Sequence, residues 1–199
     1  MPLRQNPARS GALLPRELQE QWITPPSSPL LTNEDLRQIA RWAADCAERA
    51  LPVFEARSPD DARPREAIAA ARTFAASGTR TANLRKVAWA ALKAAGEVDD
   101  PAAAAAARAA STAAASAYTH PIATPHQVNH ILSPAAYSAC AIALGAADET
   151  AAAEAEIRWA LEQASPTVRQ VVQRMPARVA GKSRMSALLH RLDMSLRGR

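Results

Sequence analysis

The sequence predicts an all-α protein, a single compact domain of about eight or nine antiparallel helices with alanine-rich packing. Alanine supplies 50 of the 199 residues, and alanine has the highest intrinsic helix propensity. Glycine occurs only 6 times, and aromatic residues make up 4% of the chain. Strand-forming residues nowhere cluster into alternating runs, which excludes a β-sandwich or a β-barrel.

The chain divides into a lead-in, residues 1–31, and a helical domain, residues 32–197 with a basic C-terminal helix. The lead-in contains several prolines, so we expect it to be extended and partly disordered, or to form one short helix over Leu13–Trp22. The first long helix begins at Thr32, a good N-cap residue, and Glu34 and Asp35 in its first turn complement the helix dipole. Its apolar stripe recurs at helical spacing as far as Phe54.

The later helix boundaries follow from capping residues, first-turn prolines and terminal glycines. Asp100-Pro101, Ser133-Pro134 and Ser165-Pro166 are three cap-plus-proline starts, and Gly78 and Gly96 are stops. The helices after the first are predicted over Pro64–Ser77, Thr81–Ala95, Pro101–Tyr118, Gln127–Leu132, Ser133–Gly145, 148–163, Pro166–Met175, and from Gly181 to Leu196.

The helix that begins at Pro101 carries alanine on nearly every face. Alanine side chains alone bury little apolar surface, so we expect neighbouring helices to approach this helix closely on several sides. No apolar run reaches the length of a membrane span, and the start of the chain lacks the apolar core of a secretory signal. We therefore expect a cytoplasmic protein in which Cys46 and Cys140 are free thiols.

Charge is concentrated at the C-terminal end, where residues 166–199 carry eight Lys and Arg against one Asp. A basic segment of this kind can bind nucleic acid. It can equally be a solvated helix, and neither an aromatic stacking pattern nor a groove helix accompanies it. Nucleic acid is therefore the weaker expectation.

Two motifs are weak indications of chemistry. Gly181-Lys182-Ser183 resembles the end of a phosphate-binding loop, but a helix rather than a strand precedes it, so nucleotide hydrolysis is rejected. His126 and His130 lie four apart on one predicted helix face, a spacing that can bind a metal with His120 as third ligand. No carboxylate or cysteine lies in the same segment, so loop-capping histidines are favoured, and we expect no metal and no cofactor.

Charged and aromatic residues on the first two helices form the most specific constellation. Arginines so close to an apolar stripe require a carboxylate or carbonyl partner, and Asp45 and Asp61 are the obvious candidates for Arg65 and Arg72. An internal ion-pair network is one interpretation, and a partner-facing surface is the other, since Trp and Arg are common at interface hot spots. The candidate structural or interaction residues are Trp42, Asp45, Arg49, Asp61, Arg63, Arg65, Arg72, Trp89 and Tyr137.

Trp89 lies well off the apolar stripe of its own helix. It either packs against a second neighbour or is exposed, and an exposed tryptophan would favour a binding surface. The acidic residues Asp148, Glu149, Glu154 and Glu156 offer a further surface for a basic nuclease toxin, or form an ordinary solvated helix face.

Several blocks of the sequence resemble a known family. They are LTNEDLR at Leu31, WAADCAER at Trp42, DARPREAI at Asp61, AYTHP at Ala117, HILSPAAY from His130 to Tyr137, and LLHRLDMSLR at Leu188. These blocks are similar to the immunity-five-like family of bacterial immunity proteins, over about residues 31–197. The resemblance implies an all-α protein that neutralises a toxin made by the same cell, and it supplies no catalytic residues.

Some relatives in that family carry an SbcC-type exonuclease label. This chain lacks the phosphate loop and the coiled-coil arms of such an ATPase. We therefore expect a non-enzymatic binding module with a cognate protein toxin as its partner. The alternatives are a nucleic-acid-associated protein that uses the Arg-rich C-terminal segment, and a metal-dependent enzyme at His120, His126 and His130.

Overall fold

The helices surround the alanine-rich segment, and the first long helix lies against most of the others. The computed structural model describes residues 30–198, and no strand occurs in this range. The elements are α1 (Asn33–Glu55), α2 (Arg63–Ser77), α3 (Ala82–Glu97), α4 (Pro101–Ala115), a 3-10 turn (Ser116–Tyr118), α5 (Pro125–Leu144), α6 (Glu149–Gln163), α7 (Pro166–Arg174) and α8 (Arg184–Leu196). The predicted all-α class is confirmed, while the predicted helix over Leu13–Trp22 lies outside the described residues.

The start of α1 is a capping box. The Thr32 hydroxyl accepts the Asp35 N–H at 3.0 Å, and the Asp35 carboxylate accepts the Thr32 N–H at 2.9 Å. Two backbone donors that the first turn would otherwise leave unpaired are thereby satisfied. From this start the helix buries an apolar stripe that ends at Phe54, as its spacing predicts.

The alanine-rich helix α4 is buried on several sides. Eleven of its 15 residues are buried, and it packs against α1, α2, α3 and α5. Small side chains permit this close approach, since the side chains at a contact set the distance between helix axes. Two buried hydroxyls also form hydrogen bonds between helices. Ser111 donates to the Ala88 carbonyl at 2.8 Å, and Ser138 donates to the Cys46 carbonyl at 2.7 Å.

The C-terminal end of α2 is held against α1. Gly78 has φ of 71° and is the C-cap of α2, a conformation that glycine adopts without strain. Arg37 of α1 donates from Nε to the Ala75 carbonyl at 2.9 Å and from Nη2 to the Ala76 carbonyl at 2.9 Å. Gly96, in contrast, does not end its helix, because α3 continues to Glu97.

The prediction of two separate helices, Gln127–Leu132 and Ser133–Gly145, is wrong. The structure has one continuous helix, α5, with Pro134 in its interior. An interior proline lacks the N–H of one helical bond and costs about 3 kcal/mol. Burial of apolar side chains on both sides of the proline, including Ile131 and Leu132, offsets that cost. The Ser-Pro pair therefore resembles a helix start without being one.

The arginine-rich C-terminal segment is tied to the rest of the protein. Asp193 of α8 is fully buried, its carboxylate lies 2.9 Å from an Arg197 guanidinium nitrogen, and it accepts the Arg178 N–H at 2.9 Å. Five arginines join this segment to the rest of the protein: Arg169 to the Leu161 carbonyl, Arg174 to Asp35, Arg178 to Asn129, Arg184 to Glu149, and Arg191 to Glu154. The sixth, Arg197, pairs with Asp193 inside the segment.

We expect Ala110→Leu to lower the free energy of unfolding by about 1–3 kcal/mol, because α4 has no room for a larger side chain at this fully buried position. Ala69→Leu on the exposed face of α2 is the matched control and should change stability little. Urea denaturation measures both. Equal midpoints for the two variants would contradict close packing around α4.

Asp193→Ala should lower the free energy of unfolding by about 3 kcal/mol, because it removes the carboxylate that pairs with the mostly buried Arg197 guanidinium and accepts the Arg178 N–H. Asp60→Ala in the exposed turn before α2 is the control, with an expected change within about 0.5 kcal/mol. The same denaturation experiment compares them. A near-neutral Asp193→Ala would show that the ion pair does not anchor α8.

Candidate interaction surface

Trp42 lies in the core rather than on a surface. Its side chain is buried, and its indole N–H donates to the Ala160 carbonyl of α6 at 2.8 Å. A buried indole that satisfies its single donor in this way joins two helices. The structure therefore gives Trp42 a packing position between α1 and α6.

Arg49 binds the neighbouring helix α6. Its Nε donates to both Glu156 carboxylate oxygens at 2.8 Å, and its guanidinium carbon lies 4.4 Å from the ring centroid of Trp159. The hydrogen bond to Glu156 raises the pKa of the Arg49 guanidinium, although burial opposes this. Glu156 is buried, so Arg49 supplies the charge that its carboxylate needs there.

The other predicted arginines join α1, α2 and the turn between them. Arg72 forms ion pairs with Asp45 at 2.8 Å and with Glu48. Arg65 contacts Glu55 rather than either of the two acids expected for it. These ion pairs are partly exposed, so each contributes little to stability on its own. They fix the relative orientation of the two helices.

Arg63 bridges two acidic side chains, Asp61 at 2.6 Å and Glu97 of α3 at 2.7 Å. Its hydrogen bonds lower the pKa of the Asp61 and Glu97 carboxyl groups. Tyr137 of α5 is half-buried and packs against apolar clusters on both sides of that helix. The structure thus pairs Arg63 with Asp61 and places Tyr137 among apolar residues of another helix.

The three histidines do not form a metal site. His126 and His130 meet edge to face, with ring centroids 4.9 Å apart, and the His120 N–H donates to the Gln127 side chain at 3.0 Å. Within residues 30–198, no group of three His, Cys, Asp or Glu side chains is placed to hold a metal ion.

The Gly181-Lys182-Ser183 motif is a helix start. Ser183 is the N-cap of α8, and its hydroxyl accepts the Ser186 N–H at 3.1 Å. This hydroxyl thus satisfies a backbone donor of the first turn.

The acidic face of α6 is paired internally. Glu149 contacts Arg184 of α8 at 2.6 Å, and Glu154 contacts Arg191 at 3.0 Å. Three of the four acidic residues predicted for a basic toxin, Glu149, Glu154 and Glu156, are thus placed against arginines of the same chain, and Asp148 is the N-cap of α6.

The exposed tryptophan marks a different surface. The Trp89 side chain on α3 is 66% exposed, and Leu92, one turn further on, is 41% exposed. They border a groove of about 320 Å³ between α3, α4 and the start of α5, which we name the Trp89 groove. Its lining consists of Arg85, Ala88, Trp89, Leu92, Ser111, Thr112, Ala115, Tyr118 and His130.

A second hollow of about 480 Å³ continues the Trp89 groove and shares Arg85 and Tyr118 with it. The Arg85 guanidinium carbon lies 4.8 Å from the Tyr118 ring centroid, and that of Arg80 lies 6.0 Å from it. Arg80 also donates to the Ala117 carbonyl at 2.7 Å. An aromatic ring flanked by two guanidiniums holds both cations by cation–π attraction.

The family model for the Imm-5 like putative immunity protein matches residues 29–167, which is well over half of the chain. The chain belongs to this family. No curated protein and no solved structure matches it significantly. The immunity-protein family model ends within α7, yet Val171, Val172 and Leu192 beyond that point are buried in the same core.

Part of this surface was missed by sequence reasoning about the Imm-5-like chain. The position of Trp89 away from the apolar stripe of its helix indicated a candidate surface residue in the sequence, and its side chain is exposed in the structure. No sequence pattern indicated the contact between Arg85 and Tyr118, since they are 33 positions apart and meet only because α3 and α4 are neighbours. No helix within the described part of the Imm-5-like chain is long and apolar enough to cross a membrane.

The pH dependence of stability should reveal the position of His130 in this Imm-5-like protein. Partial desolvation, with His126 and His120 nearby, lowers the pKa of His130 below its ordinary 6.5. The unfolded chain therefore takes up this proton at higher pH than the folded chain does. Stability is lost as the pH falls from 6.5 through the folded pKa.

We expect His130→Gln to show a smaller fall in urea midpoint between pH 7.5 and pH 5.0 than the parent protein, because this substitution removes the titrating imidazole. Equal falls in the two proteins would contradict a depressed pKa at His130.

Proposed function

We propose that this protein is an immunity protein that neutralises a cognate bacterial toxin by binding to it and occluding its active surface, without catalysing a reaction. Membership of the Imm-5 like family supports an immunity role. The observation that carries the binding mode is the Trp89 groove, an apolar recess with an exposed tryptophan at its border. Tryptophan is among the residues most enriched at the energetic centres of interfaces.

The scaffold below this groove suits a protein that binds in a preformed shape. The groove floor includes Ala88, Ser111 and Ala115, which lie on two helices packed closely against each other. Helices held in this way lose little conformational freedom when a partner binds, so more of the contact energy remains as affinity.

The nucleic-acid alternative has less support. Six arginines of the C-terminal segment contact acceptors of this chain, so their guanidiniums hold α7, α8 and the loop between them in place. A phosphate backbone would have to compete with these partners.

Co-expression with candidate toxins taken from the genes that neighbour this one tests the proposed function. We expect the full-length protein to restore growth. Unchanged toxicity in the presence of well-folded protein would contradict the immunity role.

Trp89→Ala should weaken toxin binding by at least about 2 kcal/mol, or roughly 30-fold in Kd, because this substitution removes the exposed anchor. Val179→Ala is the matched control, since Val179 is 84% exposed and lies outside the groove. Calorimetric titration of the purified proteins measures both Kd values. Equal affinity of both variants would place the toxin on another surface.

A further inference from the structure

We propose that the toxin surface seated on the Trp89 groove is rich in Asp and Glu side chains around an apolar contact for Trp89. This inference rests on the proposed immunity function and specifies the chemistry of its partner.

The segments that line the Trp89 groove carry positive charge. Residues 79–96 and 101–147 contain no Asp and no Glu. Their charged residues are Arg80, Arg85, Lys86, Lys93 and Arg108. Up to Gly96, α3 and the residues before it thus present cations beside an exposed indole. Glu97, the last residue of α3, pairs with Arg63 and Lys93.

The basic side chains of this segment differ in their contact partners. Among the residues that the structure describes, none forms an ion pair with Arg80, Arg85 or Lys86, whereas Lys93 approaches Glu97 at 3.5 Å. Arg85 instead stacks on Tyr118. Stacking restrains a guanidinium and leaves its hydrogen-bond donors available for a carboxylate.

Two other grooves are lined by both signs of charge. The hollow lined by Asp45 and Glu48 also contains Arg49, and a groove between α6 and α8 places Glu149 beside Arg184. Both of those surfaces carry acids with basic partners from this chain. The lining of the Trp89 groove has a single sign of charge, so no residue of the lining supplies its electrostatic complement, which we assign to the toxin.

The experiment measures association of the purified full-length protein with the purified toxin at two salt concentrations. The test variant is Arg85→Glu with Lys86→Glu. At low salt it should slow association at least about tenfold, and it should weaken the dependence of the association rate on salt. Arg85→Gln with Lys86→Gln should give an intermediate rate. Circular dichroism and thermal melting establish that each variant is folded.

The matched control is Arg41→Glu with Arg158→Glu, which makes the same change in net charge at exposed positions of α1 and α6. We expect this control to retain most of the parent association rate. If both charge reversals slow association equally, or neither does, the acidic toxin surface is refuted while the immunity function stands. If the parent protein does not bind the toxin, the proposed function fails first and this inference falls with it.

Carbodiimide cross-linking identifies the occupant directly, because it joins a lysine amine to a carboxylate in contact with it. The expected products join Lys86 or Lys93 to Asp or Glu of the toxin. Products that instead join these lysines to Glu17 or Glu20 of the same chain would indicate that the N-terminal segment is the occupant. Products joining them to a second copy would indicate self-association. Both results would overturn the proposal.

Discussion

The close packing of α4 is the constraint on which the rest of the structure depends. A helix of alanines contributes little buried apolar area from each side chain, and it becomes a stable centre only when several helices surround it. Four helices do so here, and the small side chains of α4 leave little room for a larger residue. The large apolar side chains, among them Phe54, Phe74 and Ile131, lie on the helices around α4 rather than on it.

Arginine has a complementary role at the periphery. Arg37 caps the end of α2 from α1, Arg49 binds Glu156 on α6, and Arg197 binds Asp193 within α8. A guanidinium offers several donors in one plane, so one side chain can satisfy carbonyls or carboxylates of a neighbouring helix. This explains why the arginines of a basic C-terminal segment, which suggests nucleic acid when viewed as sequence alone, are largely paired with groups of the same chain.

Helix propensity and capping chemistry predict most of the fold, because Thr32, Gly78 and Asp100 are local signals that the structure uses locally. The Ser133-Pro134 signal failed because burial along α5 outweighs a lost backbone hydrogen bond. Long-range pairing was harder to predict, since Arg49 could have met many acids and its actual partner, Glu156, lies 107 residues away. Only part of the Trp89 groove could be predicted from the sequence, for the same reason. An off-stripe tryptophan can be read from one helix, but the cations and the ring beside it come from separate elements.

The Trp89 groove lies on the outer faces of α3 and α4, whose inner faces hold the alanine contacts. Residues such as Arg85, Trp89 and Leu92 can therefore be exchanged without disturbing what keeps the protein folded. Recognition and foldability are carried by opposite sides of the same helices. A lineage of such proteins can thus diversify its exterior rapidly over a constant interior.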